Sequence, residues 1–282
     1  MSGNDLSCGI GLARICEALS VMAPLKLAED WDNVGLLLGD RRSSIAKVMT
    51  CLTITPDVVE EAVESNVDLI VTHHPLPFKP LTKITTDSVT GKMLWRLVGA
   101  KIAVYSAHTA FDSAACGINQ RWAESLELHS IEALVPSDAI SDPKQLGTCL
   151  GAGRLGRLGQ PVQLGQLASL AAQVAGHLNS EPKPRIVGSA DDLVGKIAIA
   201  CGSGGSFLAP AARRGCDALI TGEATFHTCL EARSQGISLV LLGHYRSERF
   251  AMEFLSQQLS AEFPDLETWA SRHECDPISP LG

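Results

Sequence analysis

This sequence predicts an α/β fold with a mainly parallel sheet flanked by helices, on three observations. Short apolar runs alternate with amphipathic segments through short turns, the pattern of strands joined by helical crossovers. Histidine-bearing clusters fall just past the carboxyl ends of predicted strands, the edge where an open sheet gathers its ligand-binding groups. With 282 residues, 45% of them hydrophobic, the chain can bury a sizeable core as one large domain or two smaller ones.

Leu6 to Met22 carries apolar residues at helical spacing (Leu12, Ile15, Cys16, Leu19), and Pro24 stops it. The apolar run within Trp31–Gly39 reads as a strand, with Asp32-Asn33 just before it. Lys47 to Ile54 is a second strand, and Pro56 opens a helix over Asp57 to Ser65. The stretch from Val67 ends in Thr72-His-His-Pro75 and reads as a buried strand that breaks at its histidines, because Pro75 holds His74 extended. Leu76 to Thr86, with two more prolines, is a loop. A helix (Thr90 to Val98), a strand (Lys101 to Ser106) and a helix (Gly117 to Leu126) follow.

The organisation changes near residue 129. Residues 136 to 165 are rich in Pro, Gly, Asp and Ser and mark a boundary or an irregular passage. Leu167 to Leu178 is a helix, and Arg185 to Gly188 and Gly195 to Cys201 are strands. Gly202-Ser-Gly-Gly205 turns into a helix from Ser206 to Arg214. Ala218 to Thr221 is a strand, Thr225 to Ser234 a helix, Ile237 to Leu242 a strand, and the last helix runs from about Tyr245 to Leu259. The remaining tail, with His273, Glu274 and Cys275, reads as a loosely held end with little claim to metal.

A net charge of -8 argues against a broad grip on a phosphate backbone, so a nucleic-acid partner is not expected. Nine cysteines, odd in number, scattered and without a C-x-x-C, fit free thiols in a reducing compartment better than a disulfide framework or a four-cysteine zinc site. Gly9 to Met22 carries Arg14 and Glu17, so it reads as an amphipathic helix and not a signal peptide. No stretch approaches the length of a membrane span. The expectation is a cytoplasmic protein without a membrane partner.

Chemistry can be carried by three clusters. His73-His74 is the first, His108-x-x-x-Asp112 the second and His244-x-x-x-Glu248 the third. Successive strand residues point to opposite faces, so splayed His73 and His74 suit two ions better than one. Residues four apart on a helix share a face, so His244 and Glu248 can point at one ion. Taken alone, the His-His pair fits solvated turn residues equally well, and H-x-x-x-E fits a solvated helix face. Three clusters at three strand ends are harder to dismiss. Three imidazoles plus two carboxylates suit two borderline ions such as Zn, Mn, Fe or Co. Paired ions about 3.5–4 Å apart can share a water, lower its pKa and hold a phosphate.

Gly151-Ala-Gly-Arg-Leu-Gly156 matches the dinucleotide fingerprint literally, but no long strand precedes it and Pro161 follows where a helix should begin, so a tight turn is expected. Gly202-Ser-Gly-Gly-Ser206 is better placed to cradle an anion, with plain tight packing equally open, and it lacks the Lys-Ser/Thr of a P-loop. Gly222-Glu223 and His227 follow another strand and offer either an acid or base or ordinary turn residues. His129 and His177 read as surface or packing residues, and there is no G-x-S-x-G.

Trp31-Asp-Asn-Val-Gly-Leu, Thr72-His-His-Pro, Ser106-Ala-His-Thr-x-x-Asp112, Gly202-Ser-Gly-Gly-Ser-Phe, Thr221-Gly-Glu and Gly243-His-Tyr-x-x-Glu248 occur in this order. Together they resemble the Nif-three-like family of dinuclear-metal proteins, often labelled GTP cyclohydrolase 1 type 2 homologues, from about Ile10 to Leu259. The resemblance implies His73, His74, Asp112, His244 and Glu248 as ligands of two divalent ions. It implies two lobes, 1–128 plus 237–282 for the metal site and 129–236 for the other, and a homohexameric ring with its metal sites facing an internal cavity. The chain is too short for the inserted domain of the longer relatives. Where relatives often show aspartate-x-threonine, this chain reads Leu52-Thr-Ile-Thr and offers no extra carboxylate. The implied activity is metal-dependent hydrolysis of GTP or another phosphorylated small molecule, with His108 or Glu223 moving protons. The alternative is a non-catalytic metal-binding ring acting as carrier, chaperone or scaffold.

Overall fold

A computed structural model describes residues 9–137, 150–176 and 183–279. The chain divides into two compact units, Met1–Thr109 with Met252–Cys275, and Ala110–Ala251 with Asp276–Gly282.

The first unit opens with β1 (Ile10–Gly11) and α1 (Leu12–Met22), followed by β2 (Gly35–Leu38), β3 (Ser44–Ile45) and β4 (Lys47–Cys51). Then come α2 (Pro56–Glu64), β5 (Leu69–Thr72), α3 (Val89–Gly99) and β6 (Ala103–Ser106). The helix expected from Leu6 starts only at Leu12, because Ile10–Gly11 pairs antiparallel with Ser44–Ile45. The helix starts are set locally. Thr55 Oγ1 accepts from Val58 N ahead of Pro56, and Ser88 Oγ accepts from Gly91 N, so each hydroxyl satisfies an orphan amide.

The sheet of this unit has five strands: Glu267–Ala270 from the C-terminal segment, then β4, β5, β6 and β2. All pairings are parallel except the β2 edge. Every residue of β5 and β6 is buried, as expected of a sheet covered on both faces. Met49, Ile70, Val104, Val58 and Leu97 join strands and helices in one core. Each such side chain contributes about 1.5–3 kcal/mol relative to exposure.

The tail is not loose. Its strand pairs with β4, Glu267↔Lys47 through Ala270↔Thr50. Ser271 Oγ and the amides of Arg272 and His273 donate to the Glu61 carboxylate, at 2.6, 3.0 and 3.0 Å. Glu274 in turn accepts from the amides of Leu52 and Thr53, at 2.9 and 2.6 Å. The sequence hid this because one polar carboxylate at each end does the fastening.

A short helix, α4 (His108–Ser113), carries the chain into the second unit. There follow α5 (Ile118–Ser125), β7 (His129–Pro136), β8 (Gly151–Gln163), α6 (Leu164–Val174), β9 (Arg185–Val187) and β10 (Leu193–Ala200). Next are a 3-10 turn (Gly204–Phe207), α7 (Leu208–Arg213), β11 (Ala218–Thr221), α8 (Phe226–Gln235), β12 (Ser238–Leu241) and α9 (His244–Glu248). The next helix, Phe250–Glu262, runs back into the first unit. The six strands lie in the order β7-β8-β10-β11-β12-β9. β10, β11 and β12 are parallel, and the outer pairings are antiparallel.

Two expectations change here. Gly151–Gly156 is not a tight turn but the start of β8, a strand of 13 residues, so the expected irregular passage is sheet from Gly151 on; residues 138–149 lie outside the described residues. Its glycines serve close packing: a Cβ on Gly156 would meet Leu128 Cβ at 2.9 Å, and one on Gly153 would meet Ile199 O at 2.9 Å. The segments 110–128 and 237–251 belong to the second unit, whereas the sequence groups them with the first lobe. β12 lies between β11 and β9 in the second sheet. On α5, Asn119 Oδ1 accepts from Cys201 N and Gln120 Oε1 accepts from Arg154 Nε, at 2.9 and 2.8 Å.

Cys16, Cys51, Cys116, Cys201, Cys216, Cys229 and Cys275 are free thiols. Among the described residues no helix is long and apolar enough to cross a membrane.

Candidate metal-binding clusters

In the first unit the chain leaves β5 at Thr72 without leaving its neighbour. His73 N donates to Cys51 O at 3.0 Å and His74 N to Leu52 O at 2.8 Å, so pairing continues through both histidines. Two hydroxyls hold their carbonyls: Ser106 Oγ donates to His73 O at 2.7 Å and Thr72 Oγ1 to His74 O at 3.0 Å. The expected splay is absent. The His73 and His74 rings converge to 5.0 Å between centroids, and His108 stands 5.1 and 5.5 Å from them. Each of the three offers a ring nitrogen within 4.8 Å of the others.

His108 begins α4 with φ of 26°, in the left-handed region where a non-glycine residue is strained and local contacts must hold it. Asp32, whose side chain is fully buried, does so: its Oδ1 is 2.7 Å from His108 Nδ1, and its Oδ2 accepts from Thr109 N at 3.1 Å and from Thr109 Oγ1. Burial pushes the Asp32 carboxyl up, but the hydrogen bonds from His108 and Thr109 outweigh it and hold it at about 2. An ionised carboxylate only accepts, so His108 Nδ1 donates to Asp32 and Nε2 is the nitrogen left for other contacts. Thr53 Oγ1 lies 2.7 Å from His74 Nδ1 and orients that ring, and Glu274 fixes the Thr53 amide.

The second unit carries the carboxylates. Gly243, at φ of 94°, turns the chain from β12 into α9, where His244 and Glu248 stand four apart with Nε2 and Oε2 separated by 3.1 Å. His244 Nδ1 lies 3.0 Å from Glu223 Oε1 on its other side. The bond to Glu248, aided by Glu223 and opposed by burial, raises the His244 imidazole to about 9. Glu223 also accepts from Ser203 Oγ at 2.6 Å, which with His244 lowers its carboxyl below the ordinary range. Glu248 is 3% exposed, and Gly202 makes room for it: a Cβ there would meet Glu248 Oε1 at 2.2 Å. Gly202 N donates to Ser247 Oγ at 2.9 Å, so this end of the glycine loop packs against α9. Asp112 Oδ1 accepts from Cys201 Sγ at 3.3 Å. Burial first, then the charges of Asp112 and Glu248, push the Cys201 thiol well up and keep it protonated.

Of the residues singled out from sequence, His73, His74 and His108 share one cluster, and Glu223, His244 and Glu248 share another with Asp112 beside Cys201. His129, His227 and His273 are exposed. His177 lies outside the described residues. Asp32 and Thr53 were missed as supports, and the signal for Asp32 was present in Trp31-Asp-Asn-Val-Gly. The donor sets suit a divalent metal: converging imidazole nitrogens, one ring oriented by a carboxylate, and the buried Glu248 carboxylate within reach of an imidazole.

Fold and clusters thus define an α/β protein whose strand ends carry histidine and carboxylate groups able to bind metal ions. Residues 10–277 match the family described as Duf34/NIF3 (NGG1p interacting factor 3), and the chain belongs to that family. It is 34% identical over 246 residues to a GTP cyclohydrolase 1 type 2 homolog of Clostridium acetobutylicum, covering 87% of this chain and 88% of that one. It is 30% identical over 241 residues to GTP cyclohydrolase 1 type 2 of Helicobacter pylori, covering 84% and 86%. Among solved structures, protein SA1388 of Staphylococcus aureus superposes with a TM-score of 0.85 at 25% identity, over 96% of this chain and 99% of that one.

Proposed function

We propose that this chain is a metal-dependent hydrolase binding two divalent ions (Zn, Mn, Fe or Co) through His73, His74, Asp112, His244 and Glu248, and acting on GTP or another phosphorylated small molecule. The observation that carries the metal reading is the convergence of His73, His74 and His108, with Asp32 fixing which His108 nitrogen faces outward. The names of the Clostridium and Helicobacter relatives favour GTP as the compound to try first. Bound ions would supply Lewis acidity for water and phosphate. The chain's own residues would position and move protons. His108 receives or returns a proton at Nε2 while Asp32 steadies its Nδ1–H. Glu223, held by Ser203 Oγ and beside His244 Nδ1, would take or return a proton at its own carboxylate. A homohexamer in the cytoplasm completes the proposal.

The test is metal content per chain by elemental analysis, on protein purified without added metal or chelator, for wild type, His73→Ala and Glu248→Ala. Close to two ions per chain, lost in both variants, supports the ligand set and justifies a turnover screen from GTP outward. No metal, and no uptake of added Zn or Mn, would sink it. Two ions with no turnover of any phosphorylated compound would leave a metal-binding protein that is not a hydrolase.

A further inference from the structure

Trp31 and Phe78 stand exposed beside the histidine cluster, 61% and 50% accessible. Their ring centroids are 6.0 Å apart with planes tilted by 45°, and each meets the His108 ring near edge-on, at 5.9 and 6.0 Å. Large rings left in water forgo burial, so an exposed pair on a well-held frame points to a ligand that covers it. The frame is well held. Asp32, next to Trp31, is locked to His108 and Thr109, and Asn33 Nδ2 donates to Pro77 O at 2.9 Å, tying the backbone beside Trp31 to that beside Phe78. The rings are therefore presented as a pair.

We propose that Trp31 and Phe78 form a stacking platform for the planar heteroaromatic ring of a nucleotide ligand, holding it against His73, His74 and His108. This rests on the metal-dependent reading above and adds to it a base-recognition site and the class of ligand. Ring centroids 6.0 Å apart lie within the span of one fused ring system, which can stack on one ring and meet the tilted other at its edge. Aromatic faces beside a cluster of imidazoles suit a molecule that is both flat and phosphorylated. A lipid chain would need a broader apolar surface, and a helix a longer groove.

The test titrates the metal-loaded full chain with guanosine 5′-monophosphate and with ribose 5-phosphate, by calorimetry, in wild type, Trp31→Ala, Trp31→Phe and Phe78→Ala. Metal content and sedimenting mass are measured on the same samples. Wild type should bind the nucleotide about tenfold or more tightly than the sugar phosphate. That preference should vanish in both alanine variants and survive in Trp31→Phe, while metal content and affinity for ribose 5-phosphate stay unchanged. Equal affinity for the two compounds in wild type, or binding of neither, overturns the platform. Metal content in those same tubes decides separately whether the metal reading stands. A preference kept in the alanine variants together with a lower sedimenting mass would assign the rings to contact between copies, which also overturns the proposal.

Discussion

Asp32 and Arg154 show how single side chains hold the candidate site residues without joining them. Asp32→Asn keeps the shape but removes the charge that fixes the proton on His108 Nδ1. Turnover should fall about 10–100-fold, with metal content and circular dichroism unchanged. Arg154 is fully buried and gives its donors to Gln120 Oε1 at 2.8 Å, to the carbonyls of Gly151 and Gly153 at 2.7 Å, and to Ala114 O at 2.5 Å. Ala114 lies just past the end of the helix carrying Asp112, so the guanidinium caps that end. Arg154→Leu strands several buried acceptors at about 1–3 kcal/mol each. Urea unfolding should show a loss of about 3 kcal/mol or more. His73 and His74 were legible in the sequence because two adjacent imidazoles after an apolar run are rare enough to notice. Asp32 stood out only as part of its motif, and its role did not, because its partner His108 lies 76 residues away.

At the scale of elements, Glu61 on α2 anchors the tail that follows the strand Glu267–Ala270. Burial raises its carboxyl, and hydrogen bonds from Ser271, Arg272 and His273 overcome this and lower it from 4.5. A lowered carboxyl stabilises the fold above its unfolded value and loses that contribution as pH falls through the folded one. The stability gap between wild type and Glu61→Gln should thus be steady near neutrality and shrink below about pH 4.5, read from unfolding midpoints across pH. The strands Leu69–Thr72, Ala218–Thr221 and Ser238–Leu241 were visible from sequence because each is apolar and buried throughout. Gly151–Gln163 was not, because its glycines, arginines and glutamines carry no strand pattern of their own and its partners β7 and β10 impose it. β7 escaped for a related reason, since only Ala133 and Leu134 along it are buried.

For the whole molecule, bound metal should appear as stability. A ligand that binds only the folded chain adds about 2.7 kcal/mol at a hundred times its Kd. Chelation should lower the thermal midpoint, and Zn or Mn restored afterwards should raise it again; identical melts with and without chelator would count against a tightly held ion. The parallel β4 pairing of Glu267–Ala270, and the Glu274 contacts to Leu52 and Thr53, also set an order of events during synthesis. Residues 252–275 emerge after the whole of 110–251, a delay of roughly 7–30 s at about 5–20 residues per second. Throughout that interval the nascent chain lacks the edge strand of its first sheet and the carboxylate behind the Thr53 amide. The second unit's run from 110 to 251 is meanwhile complete. A translating ribosome therefore carries an imidazole cluster whose Thr53 support is not in place until residues 252–275 have emerged.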